Sequence, residues 1–157
     1  MSACKNVRVK LLFVFLVMVS LCMVGTGKES LAETPGKSIA DQTIALLEAP
    51  FEKEFGPVQV ESKYEKSEIF GTVVGFDFRL EKGKFDSNWG EKVVRVLTVL
   101  GAPGAEISAK SDSGPTEVRA DSLKVGKSEA MSVQCVPSTE GDSLGWSIMF
   151  PGGLMKK

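Results

Sequence analysis

From Phe70 to Glu81 the chain alternates without a break, and that run limits the possible fold more than any other feature. Phe70, Thr72, Val74, Phe76, Phe78 and Leu80 share one face; Gly71, Val73, Gly75, Asp77, Arg79 and Glu81 share the other. Successive side chains of a strand point to opposite sides, so this period of two predicts a strand buried on one face only. Just before it, Val58, Val60, Ser62 and Tyr64 alternate with Gln59, Glu61 and Lys63, and Glu65 to Glu68 form a polar turn. The two runs predict an antiparallel hairpin. A sheet with one apolar face needs a cover for it.

The cover is legible upstream. Ser38-Ile39-Ala40-Asp41 carries the signature of a helix start, a hydroxyl followed three residues on by an acid. Ile44, Leu47, Phe51 and Phe55 then recur at helical spacing. Pro50 removes a backbone donor and crowds the preceding turn, so the helix is expected to reach about Ala49 and then kink or restart. Gly56-Pro57 stops it.

Downstream of the hairpin, Lys82 to Gly90 has turn chemistry throughout. Glu91 to Leu100 is open to two readings. Val93, Val94, Val96, Thr98 and Val99 are β-branched and favour a strand. Trp89, Val93, Val96 and Leu100 have helical spacing, with Asn88 as a cap and Gly101 as a stop. The strand is the expectation carried forward. Gly101 to Gly104 is a turn, and short strands are expected at 105–109, 116–125, 129–136 and 145–150. The architecture expected is α+β, an N-terminal helix packed on an antiparallel sheet. The alternative is a β-sandwich with a helical lead-in.

The start of the chain bears on compartment rather than fold. Residues 11–24 are a run of 14 largely apolar residues behind Lys5, Arg8 and Lys10. A membrane span needs about 20, and a short apolar run with a basic front reads as a secretory signal peptide. Ser30-Leu31-Ala32 offers a cleavage site and Gly25-Thr26-Gly27 a weaker one. The expected organisation is therefore a signal peptide over 1–32 and one small globular domain over 33–157. The protein is expected to be exported, to a periplasm or to the outside. Retention of the run as an anchor is the alternative; lipidation at Cys22 is disfavoured by the bulky Leu21 before it.

Composition removes several function classes. The chain contains no histidine, which excludes Ser-His-Asp and Cys-His nucleophiles and the common imidazole metal sites. No cofactor and no metal is expected. Residues 33–157 hold 15 basic and 19 acidic side chains, a net charge of −4. That gives no footprint for a nucleic acid, and no membrane insertion is expected once the leader is removed. Cys135 is the only cysteine after the leader; it alternates with Met131 and Val133 and reads as a small buried hydrophobe.

Three local patterns invite sharper readings. Gly75-Phe76-Asp77-Phe78 shares the aromatic spacing of an RNA-recognition strand but lacks the basic residue before the glycine, so core is the better assignment. Asp86 to Glu91 superficially suggests a calcium loop, yet the fifth position is Gly90 and the twelfth Leu97. Asp77, Glu81, Asp86 and Glu91 could pair for glycoside chemistry, which needs two carboxylates; a solvated face of mixed charge is the better reading of them. The second face of the alternating strand, where Gly71 and Gly75 allow close approach, is the candidate binding groove. Its residues are Gly71, Gly75, Asp77, Arg79 and, from the following loop, Trp89. The function expected is an exported, non-catalytic binding or accessory module that takes a protein, a peptide or an envelope component. A small carboxylate-dependent hydrolase and a membrane-tethered accessory subunit are the alternatives.

Overall fold

The computed structural model describes residues 37–152. The leader expected over residues 1–32 lies outside the described residues. Helix α1 (Ile39–Phe55) opens on Ser38, whose hydroxyl accepts the Asp41 N–H at 3.1 Å. It buries Ala40, Thr43, Ile44, Leu47 and Phe51. The kink expected at Pro50 does not end it: one helix runs through Pro50 to Phe55. Aromatic packing beyond the proline holds the last turn. Phe51 lies 4.4 Å from Phe55 and 4.7 Å from Phe78, and Phe55 lies 5.1 Å from Phe85, centroid to centroid. Each fully buried ring contributes roughly 1.5–3 kcal/mol, enough to offset one missing helical hydrogen bond.

The sheet is built from β1 (Val58–Glu68), β2 (Gly71–Leu80), β3 (Glu106–Ser111), β4 (Gly114–Ala120), β7 (Ser132–Pro137) and β8 (Ser143–Pro151), in the order β1-β2-β8-β7-β4-β3. Every neighbouring pair is antiparallel. Two three-residue strands, β5 (Leu123–Val125) and β6 (Ser128–Ala130), pair separately. The fold is thus α+β with an open sheet, as its sequence predicts. Register puts Phe76 opposite Trp146, Trp146 opposite Cys135, Cys135 opposite Val118, and Val118 opposite Ile107. This apolar row crosses five strands, and Val74, Ile148, Val133 and Ala120 form the next. Both rows lie under the helices in a single core with Leu47, Phe51, Val93 and Leu97.

Residues 91–100 correct the sequence reading. They belong to helix α2 (Trp89–Val99), not to a strand. Trp89, Val93, Val96 and Leu97 are buried along one stripe, while Val99 is exposed and Thr98 returns its hydroxyl to the Val94 carbonyl. The β-branched residues weaken the helix only by tenths of a kcal/mol each, and burying the stripe outweighs that. The expected strand 116–125 is cut at Asp121, whose N–H bonds the Pro103 carbonyl at 2.9 Å.

A bulge also moves Tyr64. Glu61 pairs with Asp77 and Tyr64 with Gly75, so β1 spends one residue more than β2 over this stretch. Ser62 absorbs the difference with φ 52°, a left-handed conformation unusual outside glycine. Beyond it the faces of β1 exchange. Lys63 and Glu65 turn to the helix, where Lys63 pairs with Asp41 at 2.7 Å and Glu65 accepts the Ala40 N–H at 3.1 Å. A carboxylate on a first-turn amide suits the positive end of a helix.

Cys135 is fully buried, and burial, aided by Asp77, pushes its thiol well above the ordinary range. We expect a thiol reagent to label the Cys135 peptide of the native chain far more slowly than that of the urea-unfolded chain. Equal rates by peptide mass spectrometry would contradict the buried assignment.

Candidate functional site

The face of the sheet turned away from the helices is assembled from the odd positions of β2 and their neighbours. Across it run Tyr64, Gly75, Ser147, Gln134 and Arg119 in one row, and Glu61, Asp77, Gly145 and Val136 in the next. Glycine at 75 and 145 keeps the middle of this face low. A Cβ on Gly75 would run into the Tyr64 ring, and one on Gly145 would stand 2.9 Å from the Asp77 Oδ1. The Tyr64 ring therefore lies flat over β2 while remaining half exposed, and the Asp77 carboxylate leans over β8.

Asp77 is half-buried, and its carboxylate has no hydrogen bond or ion pair among the described residues. Its cross-strand partner is another acid, Glu61. The nearest cation along its own strand, Arg79, is already engaged. Arg79 donates to Asp142 at 2.6 and 3.2 Å and to Glu61 at 3.2 Å, and Asp142 also accepts the Ser138 hydroxyl at 3.1 Å. Arg79 thus ties β1 to the turn between β7 and β8, and both sides of its guanidinium are occupied. The Asp142 and Glu61 carboxylates hold it protonated, above even its ordinary range.

The five residues expected to form a site separate into four roles. Gly75 and Asp77 meet on the open face. Arg79 borders it as a clamp. Gly71 sits at the end of β2, where a side chain would overlap the Phe150 carbonyl oxygen, so its glycine serves strand packing. Trp89 is only 6% exposed and belongs to the core under α2, on the other side of the sheet. Its distance from the groove follows from α2 being a helix. Tyr64 lies on the face opposite to the one that plain alternation predicts, because nothing in Ser62 announces a bulge. Gln134 and Ser147 carry no motif and become site residues only through register.

Of Asp77, Glu81, Asp86 and Glu91, it is Asp86 whose partner works against a role as an acid. Asp86 binds Lys92 at 2.7 Å and is held below the usual range by it. Asp41, Glu117 and Asp142 are lowered as well, chiefly by Lys63, Ser108 and Arg79 respectively. A general acid needs the opposite direction. Among the described residues no group of three or more acids or cysteines is placed to hold a metal ion.

These lowered values set the acid limit of the fold. A carboxyl lower in the folded than in the unfolded chain stabilises above its unfolded value and loses that contribution as pH falls through the folded one. With 3.8 as the ordinary aspartate value, stability is expected to hold near neutrality and fall below about pH 4. Asp142→Asn should flatten that fall in urea melts run across the acid range. A fold that gains stability on acidification would contradict the assignment.

No protein-family model, curated protein or solved structure matches this chain.

Proposed function

We propose that the protein is an exported, non-catalytic binding module whose open sheet face receives an extended protein or peptide segment carrying a basic side chain. The observation that carries this reading is Asp77: a half-buried carboxylate with no cation, beside a tyrosine ring laid over glycine. An ammonium or guanidinium brought to Asp77 supplies the missing partner and meets an aromatic ring at the same time. The net charge of −4 over residues 33–157 favours a basic partner.

Strand addition at an edge is the competing mode of peptide binding, and both edges are blunted against it. β1 carries the Ser62 bulge and two exposed lysines; β3 pairs with β4 through two irregular steps and carries the exposed Lys110 next to its last residue. Bulges and charges on edge strands oppose further pairing.

A photo-crosslinking residue placed at Gln134, exposed and in the row of Ser147, tests the proposal in the native envelope. Position 124 on β5, outside the open face, is the control. Adducts should form from position 134, be absent from position 124, and disappear with Asp77→Lys. Adducts equal at both positions, or indifferent to Asp77, would contradict it.

A further inference from the structure

The turn between β1 and β2 consists of Ile69 and Phe70 alone, with Glu68 paired to Gly71. Ile69 is 94% exposed and Phe70 80%. Two-residue hairpin turns ordinarily use glycine, asparagine or aspartate, for conformational reasons. Here two large apolar side chains stand at the tip and neither packs on the core. The tip is nonetheless held: the Phe70 carbonyl accepts the Gly152 N–H at 3.0 Å.

The same end of the domain is where the described chain enters and leaves. The start of α1 is fixed to the tip-proximal part of β1 by Lys63–Asp41 and by Glu65 on the Ala40 N–H. The last strand delivers Gly152 to Phe70. In sequence Gly152 is followed by Gly153, Leu154, Met155, Lys156 and Lys157. Upstream of Lys37 lies the apolar run 11–24. The opposite end of the sheet carries polar loops, Glu81 to Lys84 and Ser138 to Asp142.

We infer that the Ile69–Phe70 tip seats in the interfacial region of a lipid bilayer and sets which end of the domain faces the membrane. A convex apolar point suits a soft, deformable partner, and chain entry, chain exit and apolar tip all coincide at this end. The contact is a surface one. Lys66 is matched by Glu68 at 3.2 Å, so the tip brings little net charge and its seating should not depend on anionic lipid or on salt.

Quenching of Phe70→Trp in the full chain, reconstituted with vesicles of phosphatidylcholine brominated high on the acyl chains, tests this. Any anchoring by residues 11–24 is common to all variants, so the readout is the depth of position 70. The native Trp89 and Trp146 are buried, and wild type supplies their background. Thr139→Trp, on the loop at the far end, is the control. The expected result is a blue shift of the position-70 emission and loss of most of it, with Thr139→Trp unquenched, and the same outcome when phosphatidylglycerol is added. An unquenched Phe70→Trp on vesicle-bound, folded protein would overturn the inference. So would a fall in molecular mass in solution on Phe70→Glu, which would mean that a second copy covers the tip.

Discussion

Phe76→Ala should lower the free energy of unfolding by about 3–5 kcal/mol, the usual cost of truncating a buried phenylalanine. Phe76 is 2% exposed, lies 5.1 Å from Phe78 and stacks at 6.2 Å on Trp146. It stands at the β2 end of the apolar row that crosses the sheet, packed with Phe78 and Trp146 in the core, where little room is left for collapse. A domain of this size commonly has only about 5–15 kcal/mol in all. The urea midpoint should therefore drop sharply, and the variant should be partly unfolded at elevated temperature. A midpoint near that of wild type would show that the ring faces solvent.

The two glycines of β2 should behave oppositely. In Gly71→Ala the new methyl meets backbone, the Phe150 carbonyl oxygen, and Phe150 is itself fully buried. Backbone has no rotamer to escape into, so the β2–β8 pairing must shift. We expect a loss of about 3 kcal/mol, in the range of strained backbone positions. In Gly75→Ala the atoms nearest the methyl all belong to the Tyr64 side chain. That ring is half exposed and can swing away, so stability should change by less than about 1 kcal/mol. The expected consequence is on the open face, which loses the ring from beside Asp77. Calorimetry of the pair decides the matter: equal destabilisation would mean that Tyr64 is locked and structural.

The parts of this fold that could be read from sequence are those fixed by local rules. The Ser38 cap, the apolar stripe of α1 and the facing of Val74, Phe76 and Phe78 depend on neighbours a few residues away. The parts that could not be read depend on packing at a distance. Pro50 stays helical because Phe51 and Phe55 have ring partners from β2 and the following loop. Val94, Thr98 and Val99 stay helical because the rest of α2 covers β3 and β4. Tyr64 changes face because β1 must give Glu65 to the start of α1 while keeping register with β2, and the bulge at Ser62 reconciles the two. For the site, Gly75 and Asp77 were legible through strict alternation. Gln134 and Ser147 come from strands distant in sequence, and only the order β2-β8-β7 brings them together.

On the proposed reading the two faces of β2 do opposite work: Phe76 and Phe78 hold the fold, while Asp77 would meet the partner. The most direct test is the affinity of Asp77→Ala for the partner crosslinked from position 134, measured where its melt shows the variant folded. Loss of a charged pairing of about 1.5–3 kcal/mol predicts binding weaker by tenfold or more, with a melt close to wild type. Unchanged affinity in a folded Asp77→Ala protein would contradict the account.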